Sequence, residues 1–246
     1  LSYADSLGGG WSIHLSIVEP VTQIDLAGSG FGGALIQNNT GMPDFQGRLT
    51  YTQDWGNIAL SGQVRQVSYT IDDAVGTGDG FRTATGKSSD SLTGWGFTAG
   101  ISVNNPLGLH PRDRFFTQFT YGEAMRGIID FSLNTANNEG VVNPVTGNID
   151  ANNQLAFLVH FQHWWTDTVR STIGFGTGRI SPGNDFDAVG STRESTLGFA
   201  NLFVSPAPRI NLGIEGMYLE KRVKGTAGTL DGNNGLQVQA VALIFW

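Results

Sequence analysis

The eleven residues Leu236-Gln-Val-Gln-Ala-Val-Ala-Leu-Ile-Phe-Trp246 decide how the rest of the chain reads. Leu236, Val238, Ala240, Ala242, Ile244 and Trp246 take one set of alternate positions, and Gln237, Gln239, Val241, Leu243 and Phe245 the other. Alternation of period two marks a strand with two different faces. Eleven residues is also about the length a tilted strand needs to cross a bilayer. Soluble domains usually fray into polar tails at their ends. A closed membrane wall instead needs a last strand fit to pair with the first. On this segment alone, a buried terminal strand of a soluble sandwich is the alternative.

Composition separates the two. Of 246 residues, 35 are Gly, none is Cys, 39% are hydrophobic and only 14% are charged. A soluble domain carries about 25% charged residues, yet no run here approaches the ~18 consecutive apolar residues of a membrane helix. Low charge without an apolar helix is what a membrane β-barrel predicts, because lipid-facing positions dilute the charge and alternation hides the hydrophobicity. Abundant glycine suits twisted strands and tight turns. The lack of Cys excludes a disulfide framework and thiolate metal sites. A net charge of −7 argues against nucleic acid as a partner. Leu1 carries neither a start Met nor a charged leader. Leu1-Ser-Tyr-Ala-Asp5 reads as the tail of a strand and Ser6-Leu-Gly-Gly-Gly10 as a turn. The expectation is that residues 1–246 form the C-terminal portion of a longer barrel, with N-terminal strands preceding them.

Period-two runs bounded by turn residues predict ten strands, at 11–19, 44–53, 57–70, 92–104, 113–122, 154–164, 168–178, 192–205, 209–223 and 235–246. In the third, the alternation slips after Gln66, which predicts a bulge or the membrane interface there. The connections alternate in length. Segments 20–43, 71–91, 123–153, 179–191 and 224–234 are long, while 54–56, 165–167 and 206–208 are short and 105–112 is medium-short. An up-and-down barrel has short periplasmic turns and long extracellular loops, so Trp246 is expected on the periplasmic side. Trp11, Trp55, Trp164, Trp165 and Trp246 fall at short-turn ends, and Trp95, Tyr69, Tyr121 and Tyr218 near long loops. That sorting predicts two aromatic girdles.

Charges inside the strands are mostly arginine: Arg48, Arg65, Arg114 and Arg170, each on the polar face. The acids gather in turns and loops, among them Asp25, Asp72, Asp73, Asp79, Asp90, Asp130, Asp150, Asp185, Asp187 and Asp231. An Arg facing lipid near mid-membrane costs roughly 2–4 kcal/mol, and the alternation avoids this by turning each one inward. A lumen ringed with Arg draws anions, and guanidinium fits a carboxylate bidentately. These four arginines are therefore the candidate pore-lining residues. The alternative is that they brace the wall against acids such as Glu123 and Glu215. His14, His110, His160 and His163 give no metal or catalytic pattern, since His160 and His163 lie three apart on a strand and so on opposite faces. No serine stands in a nucleophile constellation, so neither an enzyme nor a cofactor is expected. Gly76-Thr-Gly-Asp-Gly80 matches neither a phosphate nor a calcium loop and reads as a flexible loop tip.

Several stretches resemble one family. Met42-Pro-Asp-Phe-Gln-Gly-Arg48 with Asp54-Trp-Gly-Asn-Ile-Ala-Leu-Ser-Gly-Gln-Val-Arg-Gln66 is similar to the DcaP-like porins of Gram-negative outer membranes. So are Phe119-Thr-Tyr-Gly-Glu123, His163-Trp-Trp-Thr-Asp-Thr-Val-Arg-Ser171 and Asn201-Leu-Phe-Val-Ser-Pro-Ala-Pro-Arg-Ile-Asn-Leu-Gly-Ile-Glu215. The resemblance implies an all-β, transmembrane up-and-down antiparallel barrel of about sixteen strands, about ten of them in this chain. It further implies a homotrimeric diffusion channel in the outer membrane, in contact with lipid and lipopolysaccharide. The expected solutes are small anions, dicarboxylates in particular. Arg48, Arg65 and Arg170 match arginines of the family's strands. The loops depart from the family in being rich in Gly and Asn. From another class, the alternative is a structural or surface-interaction barrel with long loops and no open pore.

Overall fold

A computed structural model describes residues 1–20, 24–25, 35–37, 42–71, 77–125, 139–226 and 229–244. Its elements are β1 (Ser2–Gly8), β2 (Trp11–Val18), β3 (Ile24–Asp25), β4 (Leu35–Gln37), β5 (Asp44–Gln53), β6 (Gly56–Ile71), α1 (Thr77–Thr85), β7 (Ser89–Asn104), β8 (Arg114–Glu123), β9 (Gly140–Val142), β10 (Ile149–Ala151), β11 (Asn153–Trp164), β12 (Val169–Ser181), β13 (Thr192–Ala207), β14 (Ile210–Lys224) and β15 (Leu230–Ile244). Eleven of these form one antiparallel path, β1-β2-β5-β6-β7-β8-β11-β12-β13-β14-β15, with every wall strand beside its predecessor. That is the up-and-down order of a membrane barrel, and β1 and β15 do not pair with each other. The expected strand tail at the start is present and runs further than its sequence suggests: β1 continues through Gly8 and turns at Gly9 and Gly10, both at positive φ, into β2.

Side-chain parity holds across the sheet. The row Ile13, Leu49, Leu60, Ala99, Phe119, Phe157 faces outward, and the adjacent row His14, Arg48, Ser61, Thr98, Thr120, Ala156 faces inward. Outward Ile58, Leu60, Leu155, Ile173, Leu212 and Ile214 are 41–64% exposed, as lipid-facing residues must be when no lipid is counted. Trp11 and Tyr51 lie side by side near the 54–55 turn with ring centroids 4.6 Å apart, and Trp95 meets Tyr121 near the opposite rim at 5.9 Å. Two aromatic residues leave the expected girdles. Trp164 shares the inward parity of β11, and Tyr69 is fully buried on the inner face of β6. Trp246 lies outside the described residues, as do Asp72, Asp73 and Asp130.

Two further readings change and one narrows. Of the two alternatives for the slip after Gln66, a bulge or the interface, the bulge is excluded, because β6 pairs with β7 residue for residue from Gly56 to Thr70. What changes there is the apolar face: Ile58, Leu60 and Val64 point outward, whereas Val67, Tyr69 and Ile71 point inward. The last long loop shrinks to 225–229, since Val223 and Lys224 still pair with Asp231 and Leu230. Both faces of that polar hairpin meet water, so no hydropathy alternation marks it. Of the expected loop tip at 76–80, residues 77–80 instead open α1, which Phe81 anchors by packing edge-on against Tyr69 at 5.9 Å, and Gly76 lies outside the described residues.

The inward Val67, Tyr69 and Ile71 have a partner. Loop segments build a small second sheet, β10-β9-β3, and with α1 they enclose Ile24, Phe81, Ala124, Val142 and Ile149 against the top of β6. Burial of these side chains, each worth roughly 1.5–3 kcal/mol for the larger ones, holds the loops over the inner face. The β4 segment pairs with Tyr69, Thr70 and Ile71, taking up the edge of β6 where β5 has ended.

Candidate pore-lining site

All four predicted arginines fall on the inner face, but in different surroundings. Arg48 sits at mid-strand in β5, flanked by His14 on β2 and Ser61 on β6. It is exposed and lines a cavity of about 420 Å³ together with His14, Ser61, Gln63, Thr98 and Gln118. Thr98 and Thr120 share a hydroxyl hydrogen bond of 2.9 Å at its floor. Gln63 is only 5% exposed, and its side-chain amide nitrogen has no hydrogen-bond partner among the described residues.

Arg65 is fully buried. Its guanidinium donates to Glu139 Oε1 at 2.5 Å and lies 3.4 Å from Asp44 Oδ1. Asp44 precedes the lumen-facing Gln46 on β5, while Glu139 comes from the loop that leaves β8. The acids expected to brace the wall, Glu123 and Glu215, are not those that meet Arg65. Met125, where that loop starts, lies in a glycine slot on the inner face. A Cβ built on Gly96 or Gly122 would fall 1.6 or 1.8 Å from Met125 Sδ, so the thioether occupies the space two side chains would need. Gln154 Nε2 then donates to the Met125 carbonyl at 2.9 Å. Arg65 therefore anchors the loop, and its charge is met by two carboxylates beneath it.

Arg114 begins β8 and belongs to a polar belt near the short-turn rim. Register places Asn104, Arg114, Gln162, Thr172, Asn201, Glu215 and Gln239 in one inward row across seven strands. Within it Glu215 accepts hydrogen bonds from Asn201 at 3.1 Å and from Gln239 at 2.8 Å. Arg170 lies one row nearer the rim, 5.2 Å from the Trp164 ring centroid and 5.0 Å from that of Phe203. Arg112 adds a second guanidinium 3.8 Å from Trp164 while donating to the Asp167 carboxylate at 2.7 Å. Cation–π contacts of this kind contribute about 0.5–2 kcal/mol each and hold the guanidinium plane at the mouth.

On the outer side of the same turn, His163 and Asp113 form a clamp. His163 Nδ1 lies 2.9 Å from Asp113 Oδ2, and the Trp164 amide donates to Asp113 Oδ1 at 2.8 Å. Burial pushes the Asp113 carboxyl up, but the Trp164 N–H, the His163 hydrogen bond and charge, and His110 together hold it below the usual carboxylate range.

Comparison with known proteins places the fold. No family model matches the chain, and no curated protein matches it. The crystal structure of the outer membrane channel DcaP of Acinetobacter baumannii superposes with a TM-score of 0.72 at 16% sequence identity, over 99% of this chain and 61% of that one. A Pseudomonas aeruginosa FadL homologue superposes with a TM-score of 0.45 at 12% identity, over 98% of this chain and 65% of that one. This chain thus spans less than two thirds of the length of either solved structure. The DcaP likeness covers every described wall strand, and the fold is that of an outer-membrane β-barrel wall.

Proposed function

We propose that this chain forms the wall of an outer-membrane porin through which small anionic, dicarboxylate-like solutes diffuse passively. The observation that carries the reading is the inner face itself: Arg48, Arg114 and Arg170 all point inward, each at a different height and each near hydroxyl or amide side chains such as Ser61, Gln162 and Ser205. Rings of Arg favour anions, and binding groups that are spaced and weak let a solute leave as well as enter. The shared fold with an outer membrane channel supports the location in the Gram-negative outer membrane and the channel class. A homotrimer in contact with lipid and lipopolysaccharide belongs to the same reading, as do the absence of catalysis and of any cofactor.

The inward contacts of Met125 and Glu139 favour one competing reading, a barrel plugged from its extracellular end. Planar-bilayer recording on the intact protein separates the two. The porin reading expects steady conductance and a reversal potential that favours anions at low ionic strength. A silent barrel would leave the plugged, surface-interaction reading in its place.

A further inference from the structure

The charge of Arg48 has unusual company. The cavity of about 420 Å³ that it lines also takes in the His14 imidazole and, beyond that, only hydroxyl and amide side chains, among them Ser61, Gln63, Thr98 and Gln118. No carboxylate and no apolar side chain stands among the described residues that line it. Toward the short-turn end, Arg48 and His14 also border a second hollow of about 590 Å³, where Ser6, Ser12 and Thr50 add further hydroxyls. Asp44, the acid of β5, is engaged by Arg65 and leaves the Arg48 guanidinium to an anion from outside.

Strand register keeps this set compact. His14, Arg48, Ser61 and Thr98 occupy one inward row on neighbouring strands β2, β5, β6 and β7. Arg48 and Thr98 are two strands apart, roughly 10 Å between Cα atoms, a gap that the Arg48 side chain and a short sugar chain together fill. Gln63 lies two residues along β6 from Ser61 and so on the same face. It is 5% exposed and lines the cavity, yet its amide nitrogen has no hydrogen-bond partner among the described residues. A buried donor left unpaired is costly, and a ligand oxygen at that point removes the cost.

One cation within a surround of neutral donors and acceptors does not match a solute charged at both ends. It matches a single carboxylate that carries a chain of hydroxyls. We infer that the Arg48 cavity binds polyhydroxylated monocarboxylates, the sugar acids. The guanidinium takes the carboxylate in its fork, His14 and Ser61 meet the hydroxyls next to it, and Gln63 donates to an oxygen further along the chain. The assignment rests on the porin reading and narrows its solute class at this height of the lumen. Each neutral hydrogen bond is modest, and two or three together give roughly a tenfold preference over an acid of the same length without hydroxyls.

The test records chloride current through the intact protein in planar bilayers while gluconate, adipate and sorbitol are titrated separately. The three share one chain length: adipate has a carboxylate at each end and no hydroxyls, and sorbitol has hydroxyls and no carboxylate. Gluconate should reach half-maximal block at a concentration about tenfold below adipate, and sorbitol should not block over that range. Arg48→Gln should weaken the gluconate block, and Gln63→Leu should bring gluconate level with adipate. Should Gln63→Leu fail to give the heat-modifiable migration of a folded barrel, Ser61→Ala is the smaller change and should still narrow the preference about threefold. Equal block by gluconate and adipate, a tighter adipate, or a gluconate preference that survives these variants overturns the sugar-acid site and leaves the porin reading standing. Sorbitol block as strong as that of gluconate overturns it too, since the carboxylate would then be idle. A barrel silent to chloride overturns the porin reading, and the solute assignment with it.

Discussion

Glu139 and Arg65 stand 74 residues apart in sequence and share a buried hydrogen bond on the inner face of the wall. With Asp44 on the same guanidinium, the contact joins a loop to two neighbouring wall strands. A buried pair is weak evidence for stability, but removing one partner strands the other at a cost of about 3–5 kcal/mol. Glu139→Ala should therefore loosen the loop and raise single-channel conductance while the barrel stays folded. Conductance identical to the wild type would show that Met125 and the apolar cap hold the loop without the ion pair.

Ion preference should separate Arg48 and Arg114 from Arg65. Arg48→Ala and Arg114→Ala each remove an inward charge without an ion-pair partner among the described residues, and each should lower the anion preference read from reversal potentials. Arg65→Ala instead uncovers Asp44 and Glu139 and should move selectivity toward cations. Glu215→Gln should strengthen the anion preference by removing an inward negative charge, while the single amide oxygen still accepts from one of the two donors, Asn201 and Gln239. All of these shifts should shrink as salt rises and the Debye length falls. A shift that persists at molar salt would point to a steric cause.

Adjacent positions on β12 should respond oppositely to the same change. Ile173 points outward and is 64% exposed, while Thr172 points inward to the polar belt. Ile173→Arg should destabilise the vesicle-inserted barrel by about 2–4 kcal/mol if it lies near the midplane. Thr172→Arg should change guanidinium unfolding little. Equal effects of the two would break the assignment of faces.

The turn clamp predicts a pH dependence. The Asp113 carboxyl titrates below its ordinary range in the folded protein, so its contribution is present at neutral pH and fades as pH falls through that lowered value. Asp113→Asn should lower thermal stability at pH 7, and the gap to the wild type should close on acidification. A gap that stays constant into the acid range would mean the carboxylate charge contributes nothing.

The wall was legible because lipid on one face and water on the other impose an alternation that each strand carries within itself. The outward set of Ile58, Leu60, Ile173 and Ile214 could be read without knowing any partner strand. Arg65 shows where such reading ends. Its parity was visible, but its fate depends on Glu139, a loop residue with no local period to announce it. The slot of Gly96 and Gly122 was equally silent, since only Met125 gives those glycines their meaning. Trp164 misled because a tryptophan at a strand end resembles a girdle residue, whereas its parity sends it inward beneath Arg112 and Arg170. The cavity shared by Arg48, Gln63 and Thr98 emerges only once register aligns separate strands.

The exchange of apolar faces between Val64 and Val67 in β6 acts as a depth gauge. Below it the outward side chains suit hydrocarbon; above it they are the polar Gln66, Ser68 and Thr70. Sinking the wall by two residues, about 7 Å at strand rise, would draw two of these polar side chains into lipid. Raising it by the same amount would bare Val64 to water. The loop cap packed on Val67, Tyr69 and Ile71 is therefore tied to the outward apolar band at a fixed offset along β6.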